Sequence, residues 1–432
     1  MEKNNDKLSG EGIIDVEAEE LVTVTETELE KYLNPEEEIT NITDKTASLW
    51  KYNGVPENEP EPHEEYTASE YEFDGIRITG ARVRGKKHKH DGTNCDDWFE
   101  FGSVGEWTVL AVSDGAGSKK YSRIGAKESC RAAVAGLREY LSVTDEDMKE
   151  KLSLPLDNQG FMEGCSHYAS VLQDVIIKAN AAVAEAFEER RTKNEYSKLL
   201  GRELEFKDFS GTFLICIAIP VIVEDHKELF AVSCQIGDGI ICSVDRNADF
   251  DKALRILGQP DSGKYSGETD FLTSESMKRK ETLMTKTKIM RSRTSAIMLM
   301  TDGVADDYFP NMPELLRLYL DLELNGVLDI PEQDENSEEK AYTIASPVSY
   351  PWVNDNEQLV AVQYASSVAE SAGITTEQLW NDKNLIRKAS LESFKTELPE
   401  TRKDRLLRWL DNYTQRGSFD DRTLLICELT EK

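Results

Sequence analysis

Apolar runs that break off at an aspartate recur along this chain. Residues 107–112 (WTVLAV) are apolar and stop at Ser113-Asp114-Gly115, and residues 296–300 (AIMLM) stop at Thr301-Asp302-Gly303. Near the C-terminus the order reverses: Gly417-Ser418-Phe419-Asp420-Asp421 precedes the apolar run 424–427. A short apolar run bounded by a Gly-containing turn predicts a buried strand. Partial alternation through Ile76, Ile78, Ala81 and Val83 predicts another. Further strands are expected at 98–101, 211–223, 229–236, 240–244, 291–300 and 419–428, with the Gln235–Gly239 stretch QIGDG as a tight turn of hairpin type. Helical spacing through Ile124, Cys130, Val134 and Leu137 predicts a helix over 124–141. Val171, Leu172, Val175, Ile176 and Ala179 mark a second over 168–187. Segments 313–320, 357–372, 376–391 and 402–410 read as further helices, and 332–340 as an acidic loop. Helices early and late around strands in hairpin-like runs argue for the α+β class, with two antiparallel sheets packed on apolar inner faces.

Charge changes the picture at the N-terminus. The chain has 432 residues and a net charge of −31. Residues 1–74 hold 22 acids against 5 bases, over half of that excess, and include VPENEPEP at 55–62. Such composition buries too little apolar surface to offset ordering, so a disordered tail is expected over 1–74 and a folded domain over 75–432. The acidity excludes nucleic-acid phosphate as a general partner. Seven dispersed cysteines without a CxxC pair suit reduced thiols. No apolar stretch approaches the roughly 20 residues that span a bilayer. A cytoplasmic protein without membrane contact is expected.

Three aspartates at strand ends, drawn from distant segments, predict a carboxylate cluster at one edge of the sheets. Packed carboxylates repel unless protonated or bridged by cations. A hard divalent metal with oxygen ligands keeps them ionised.

Five ordered motifs resemble the metal-dependent serine/threonine protein phosphatases of the PPM, or type 2C, family. The first is Gly85-Lys86-Lys87-His88 with Gly92 and Cys95-Asp96-Asp97, similar to a bacterial branch of that family. Asp114-Gly115-Ala116-Gly117-Ser118 is the second and Asp208-Phe209-Ser210-Gly211-Thr212 the third. Gly237-Asp238 follows, and then Thr301-Asp302-Gly303-Val304 paired with Asp420-Asp421-Arg422-Thr423. The resemblance covers about residues 75–428 and implies an αββα sandwich. It implies that Asp97 and Asp114 hold a pair of Mn2+ or Mg2+ ions, Asp114 bridging, with the Gly115 carbonyl as a neutral ligand. Asp302 and Asp420 complete that shell, and Asp208 joins Asp302 around a third metal. Asp421 and Asp238 fall on supporting positions. The implied reaction is hydrolysis of phosphoserine and phosphothreonine in the protein substrates of a serine/threonine kinase. A water bridging the metals attacks, without a phosphoenzyme, which suits the absence of a CxxxxxR loop.

Plainer readings stand beside these. Asp96 could reach a metal in place of Asp97, although the family spacing favours Asp97. Asp208 could be a turn former, and Asp238 a structural acid of its turn. Two departures bear on catalysis. Many relatives place a histidine after Asp-Gly, where this chain has Ala116. Many carry a phosphate-binding arginine upstream of the first aspartate; here Lys86, Lys87, His88, Lys89 and His90 occupy that loop, and His88 is the candidate phosphate contact. Ala116 motivates the rival reading, a weakly active or inactive phosphoprotein-binding scaffold; the full aspartate set argues against it. Residues 245–289, read as a mobile flap-like segment, and a helical insertion over 306–416 are expected to carry specificity.

Overall fold

The computed structural model describes residues 51–143, 146–259, 270–329, 360–371, 399–411 and 419–430, with a few positions between 352 and 378. Eleven strands among these form two antiparallel sheets. One sheet has the order β1-β2-β11-β10-β7-β8, built from β1 (Tyr66–Phe73), β2 (Ile76–Val83), β7 (Ile240–Val244), β8 (Leu254–Ile256), β10 (Ala296–Met300) and β11 (Arg422–Leu429). The other has the order β3-β4-β5-β6-β9, built from β3 (Trp98–Val104), β4 (Trp107–Ser113), β5 (Phe213–Val223), β6 (His226–Ile236) and β9 (Thr287–Ser292).

Burial follows strand position. The central strands β4 and β10 are buried at every residue, because each has a sheet face on one side and helices on the other. Between the sheets lie Ile78, Leu110, Val112, Leu214, Cys216, Ile241, Leu299 and Leu425. Helices α2 (Ser122–Ser142) and α3 (Gln159–Arg190) cover the outer face of the β4 sheet through residues such as Ile124, Leu137, Leu172 and Ile176. Helices α4 (Asn311–Leu324), α5 (Val360–Ser371) and α6 (Arg402–Asp411) belong to the core of the β10 sheet, which buries Leu315, Leu316, Val360, Leu406 and Trp409 together with Met298 and Met300. The layers are therefore helix, sheet, sheet, helix, as expected from the sequence. Among the described residues, the stretch expected as an insertion over 306–416 supplies most of this outer layer, with Trp352 completely buried. The expected helix 376–391 and the acidic loop 332–340 lie outside the described residues, apart from Thr376 and Gln378.

Four expectations are corrected. The turn at 237–239 is not a hairpin: β6 pairs with β5 and β9, β7 with β10 and β8, so the chain crosses here from one sheet to the other. The expected strand 291–300 is two strands, β9 and β10, in different sheets. The polar loop 85–97 contains a short helix, α1 (Lys86–Asp91). The flap-like segment is anchored where it is described: Leu272, Met277 and Leu283 are buried with α3, and Leu272 N donates to Gly211 O.

The boundary at 74/75 is also displaced. Tyr66–Phe73 pairs along its whole length with β2. Ahead of it, residues 52–65 form a strap held by ion pairs that neutralise its acids. Glu61 binds Arg190 at 2.5 and 2.9 Å and accepts the Tyr196 hydroxyl; Glu59 pairs with Lys120 and accepts from Asn94 at 3.0 Å. The Arg123 guanidinium donates to the carbonyls of Pro60 and Glu61. The proline-rich acidic run reads as a solvated linker only while those partners, 35 to 135 residues downstream, are unseen. The rest of the tail, residues 1–50, lies outside the described residues.

The two ends of the sandwich differ. At one end the strands pass into the aspartate motifs. At the other, β1–β2, β3–β4, β5–β6 and β9–β10 turn back within two or three residues, around a groove of about 570 Å3 lined by Asp74, Glu106, Ile222, Lys227 and Arg293.

Candidate metal centre

Each aspartate reaches the centre from the end of a strand. Asp97 precedes β3 and Asp114 follows β4, on one sheet; Asp302 follows β10 and Asp420–Asp421 precede β11, on the other. Asp238 lies on the crossing between the sheets.

Asp97 is completely buried. Its Oδ2 accepts hydroxyl hydrogen bonds from Thr301 at 2.9 Å and Thr423 at 2.6 Å. Its Oδ1 takes no hydroxyl or N–H donor, and the Asp114 carboxyl lies within hydrogen-bonding reach of its side chain. Burial, with the charge of Asp421, pushes its carboxyl up to about 7 despite the two hydroxyls. Asp114 is driven well up by burial and then by the charges of Asp97 and Asp302. Burial, Asp238 and Asp97 push Asp302 up to about 8. The groups that raise one another share one small volume: carboxylate oxygens of Asp114, Asp238 and Asp302 all lie within 4.8 Å of each other. The structure thus brings Asp97, Asp114 and Asp302 together, as expected.

Backbone contacts fix these side chains. The Asp114 N–H donates to Thr212 Oγ1 at 3.0 Å, Thr212 N–H returns to Asp114 O at 2.8 Å, and Ser113 Oγ donates to Thr212 O. Gly115 forms a bridge with Gly211, and a Cβ on it would stand 2.7 Å from Asp96 O. The third motif therefore serves as a splint for the second.

Two placements differ from expectation. Asp208 is not gathered into the aspartate groups among the described residues. Its carboxylate takes both Arg202 nitrogens at 2.5 and 2.8 Å and the Glu205 N–H at 2.9 Å, closing a capping box on the turn 206–209. Burial opposes its ionisation, but Arg202 and the backbone donor outweigh it and hold the carboxyl low. His88 is not an open phosphate contact. It is buried, with Nδ1 2.8 Å from Asp421 Oδ2 and Nε2 3.8 Å from Asp420 Oδ1. Burial pulls the imidazolium down, yet the bond to Asp421 and three carboxylate charges raise it to about 9. His88 is thus a buried cation that steadies Asp421. That carboxylate in turn accepts the N–H groups of Gly85 at 2.6 Å and Asp96 at 2.5 Å, tying the first and last motifs together. Asp420 stands between His88 and the aspartate cluster, and its charge acts on both Asp114 and Asp302.

Sequence reasoning missed Thr301 and Thr423. The available signal was a threonine beside each of the last two aspartate motifs. It also set Asp238 among the structural acids, whereas its carboxylate joins the cluster.

A family model described as protein phosphatase 2C matches residues 84–323, more than half of the chain. Among solved structures, the chain is similar to a bacterial serine phosphatase at 13% identity and a TM-score of 0.35, over 82% of this chain and 98% of that one. It is similar to the serine/threonine phosphatase Stp1 from Staphylococcus aureus at 12% identity and a TM-score of 0.34, over 86% and 98%. RsbX in complex with magnesium matches at 14% identity and a TM-score of 0.31, over 84% and 100%. No curated protein sequence matches the chain.

Proposed function

Since this chain belongs to the protein phosphatase 2C family, we propose that it hydrolyses phosphoserine and phosphothreonine in proteins, using divalent manganese or magnesium. The observation that carries the reading is the buried Asp97 carboxylate, whose Oδ1 takes no hydroxyl or N–H donor, beside Asp114 in a group of carboxyls that burial first, and one another's charge next, hold protonated. An all-oxygen donor set of this charge fits a hard divalent cation. Asp97, Asp114, Asp302 and Asp420 would hold the metals, with the Gly115 carbonyl beside them. When bound, the metals supply an activated water and offset the negative charge of the phosphate.

The protein's own groups orient and exclude. Thr301 and Thr423 use one oxygen of Asp97 and so aim the other at the cluster. Thr212 and Ser113 hold the Asp114 turn at both of its backbone groups. The His88–Asp421 pair keeps the Asp420 loop seated on Gly85 and Asp96. Ala116, whose N–H donates to Ser210 O, offers no proton to a leaving alkoxide.

The test is hydrolysis of p-nitrophenyl phosphate and of a phosphothreonine peptide with Mn2+, with and without chelator. Both activities are expected to need metal, and Asp114→Asn is expected to lower kcat by orders of magnitude. Full activity in that variant, still dependent on metal, overturns the assignment.

A further inference from the structure

The family resemblance assigns Asp208 beside Asp302 to a third metal. The structure spends the Asp208 carboxylate elsewhere. Its two oxygens take a bidentate guanidinium and a backbone N–H, and the side chain is 1% exposed. Freeing it for a cation would leave Arg202 without that partner and open the capping box, which makes it a poor ligand. Another carboxylate stands where a cation beside Asp302 needs one.

We propose that Asp238 is a direct ligand of the cation on the Asp114–Asp302 side of the centre, in the place the family pattern gives to Asp208. This rests on the metal-dependent reading above. One oxygen from each of Asp114, Asp238 and Asp302 falls in a set spanning at most 4.8 Å. Oxygens on opposite sides of a cation bound at about 2.0–2.6 Å stand about 4–5 Å apart, so this set brackets an ion with little movement. An independent pointer to a ligand comes from Asp97, completely buried, whose Oδ1 takes no hydroxyl or N–H donor and whose carboxylate lies against that of Asp114, a member of this set. A buried carboxylate oxygen left without a donor is costly, and a cation satisfies it.

The loop bearing Asp238 is built to hold it there. The side-chain amide of Gln235, itself completely buried, donates to Gly239 O at 2.5 Å and Gly237 O at 3.3 Å, on both sides of the aspartate. Gly237 has φ +105, and a Cβ on it would stand 2.5 Å from the Thr212 side chain, the residue that pins Asp114. Only glycine fits that backbone and that gap. The Asp238 turn and the Asp114 turn are thus packed on one threonine and share one geometry.

The experiment is equilibrium dialysis of the full chain against Mn2+, with bound metal counted, on wild type, Asp238→Asn and Asp208→Asn. Near-ultraviolet circular dichroism checks that each is folded, and Asp238→Ser carries the measurement should Asp238→Asn not fold. Asp238→Asn is expected to bind one Mn2+ fewer than wild type, and Asp208→Asn the same number as wild type. Wild-type stoichiometry in both Asp238 variants, or an ion lost from Asp208→Asn, overturns the inference and leaves the proposed function standing. A wild type that binds no Mn2+ overturns both.

Discussion

Thr423 shows how much of the centre rests on a single atom. Its hydroxyl is one of two donors to the buried Oδ2 of Asp97, and its N–H donates to Thr301 Oγ1 at 3.1 Å. Thr423→Val keeps the shape and removes the hydroxyl. Leaving a buried acceptor short of a donor costs about 1–3 kcal/mol. The metal-free variant is expected to melt below wild type by several degrees, with its Mn2+ affinity changed as well because Asp97 is no longer aimed; an unchanged melt and titration would mean that Thr301 alone suffices. At this scale the sequence was legible in part. Asp114, Asp302 and Asp420 follow from the rule that a strand-end carboxylate faces a site, whereas Asp97 came only from the family spacing. The departures from expectation at His88 and Asp208 share one cause. Both lie at motif positions where sequence spacing is right, yet their partners, Asp421 and Arg202, decide whether the side chain is open or already satisfied. Spacing cannot reveal that for His88, whose partner lies 333 residues away.

Elements transmit such placements through close backbone contacts. Helix α2 begins at the end of the Asp114 motif and lies on the turn 206–209 at Gly125, where a Cβ would stand 1.9 Å from Phe209 O. Gly→Ala inside a helix ordinarily gains about 1 kcal/mol in propensity. Here the clash is with backbone and cannot be relieved by a rotamer, and overpacking of this kind costs about 1–3 kcal/mol. Gly125→Ala is therefore expected to lower stability in urea unfolding and to disturb the centre, since Ser210, next to Phe209, accepts the N–H of Ala116. A gain in stability would show that the turn can yield. Most elements were legible: β4, β5, β10, β11, α2 and α3 carry strong periodic or continuous apolar patterns. What failed was pairing. The Gly237–Gly239 turn is short enough for a hairpin, and only the pairing shows that it crosses: Ile236 pairs with Phe213 on β5, Ile241 with Leu299 on β10. The 291–300 run is broken at Thr294 by a change of sheet that leaves little trace in hydropathy.

Over the whole molecule, the strap of residues 52–65 is the feature composition hid. Its Glu59 and Glu61 are compensated by Lys120, Arg123 and Arg190, so deleting residues up to 70, harmless if they formed a tail, would remove most of β1 and all of these ion pairs. Glu61 gives this a pH signature. Burial alone would raise its carboxyl, but Arg190 and Tyr196 outweigh it and hold it at about 2, below the ordinary value. A depressed carboxyl contributes stability above the ordinary carboxylate range, and that contribution is lost as pH falls toward 2. Glu61 is about a third exposed, so the effect is screened and modest. Melting midpoints from pH 6 to 3 are expected to fall more steeply for wild type than for Glu61→Gln; parallel curves would show that the pair is energetically idle. The division of the sandwich into two unlike ends has one more consequence. Carboxylates and their props crowd one end, while the β3–β4 turn at Gly105 and the β5–β6 turn at Glu224–Asp225 close the other. Chain added at those turns changes no strand register and no spacing among the aspartates. The protein thus carries a built-in place for grafting, where a reporter or a further module can be spliced while the chemistry at the far end is left as it was.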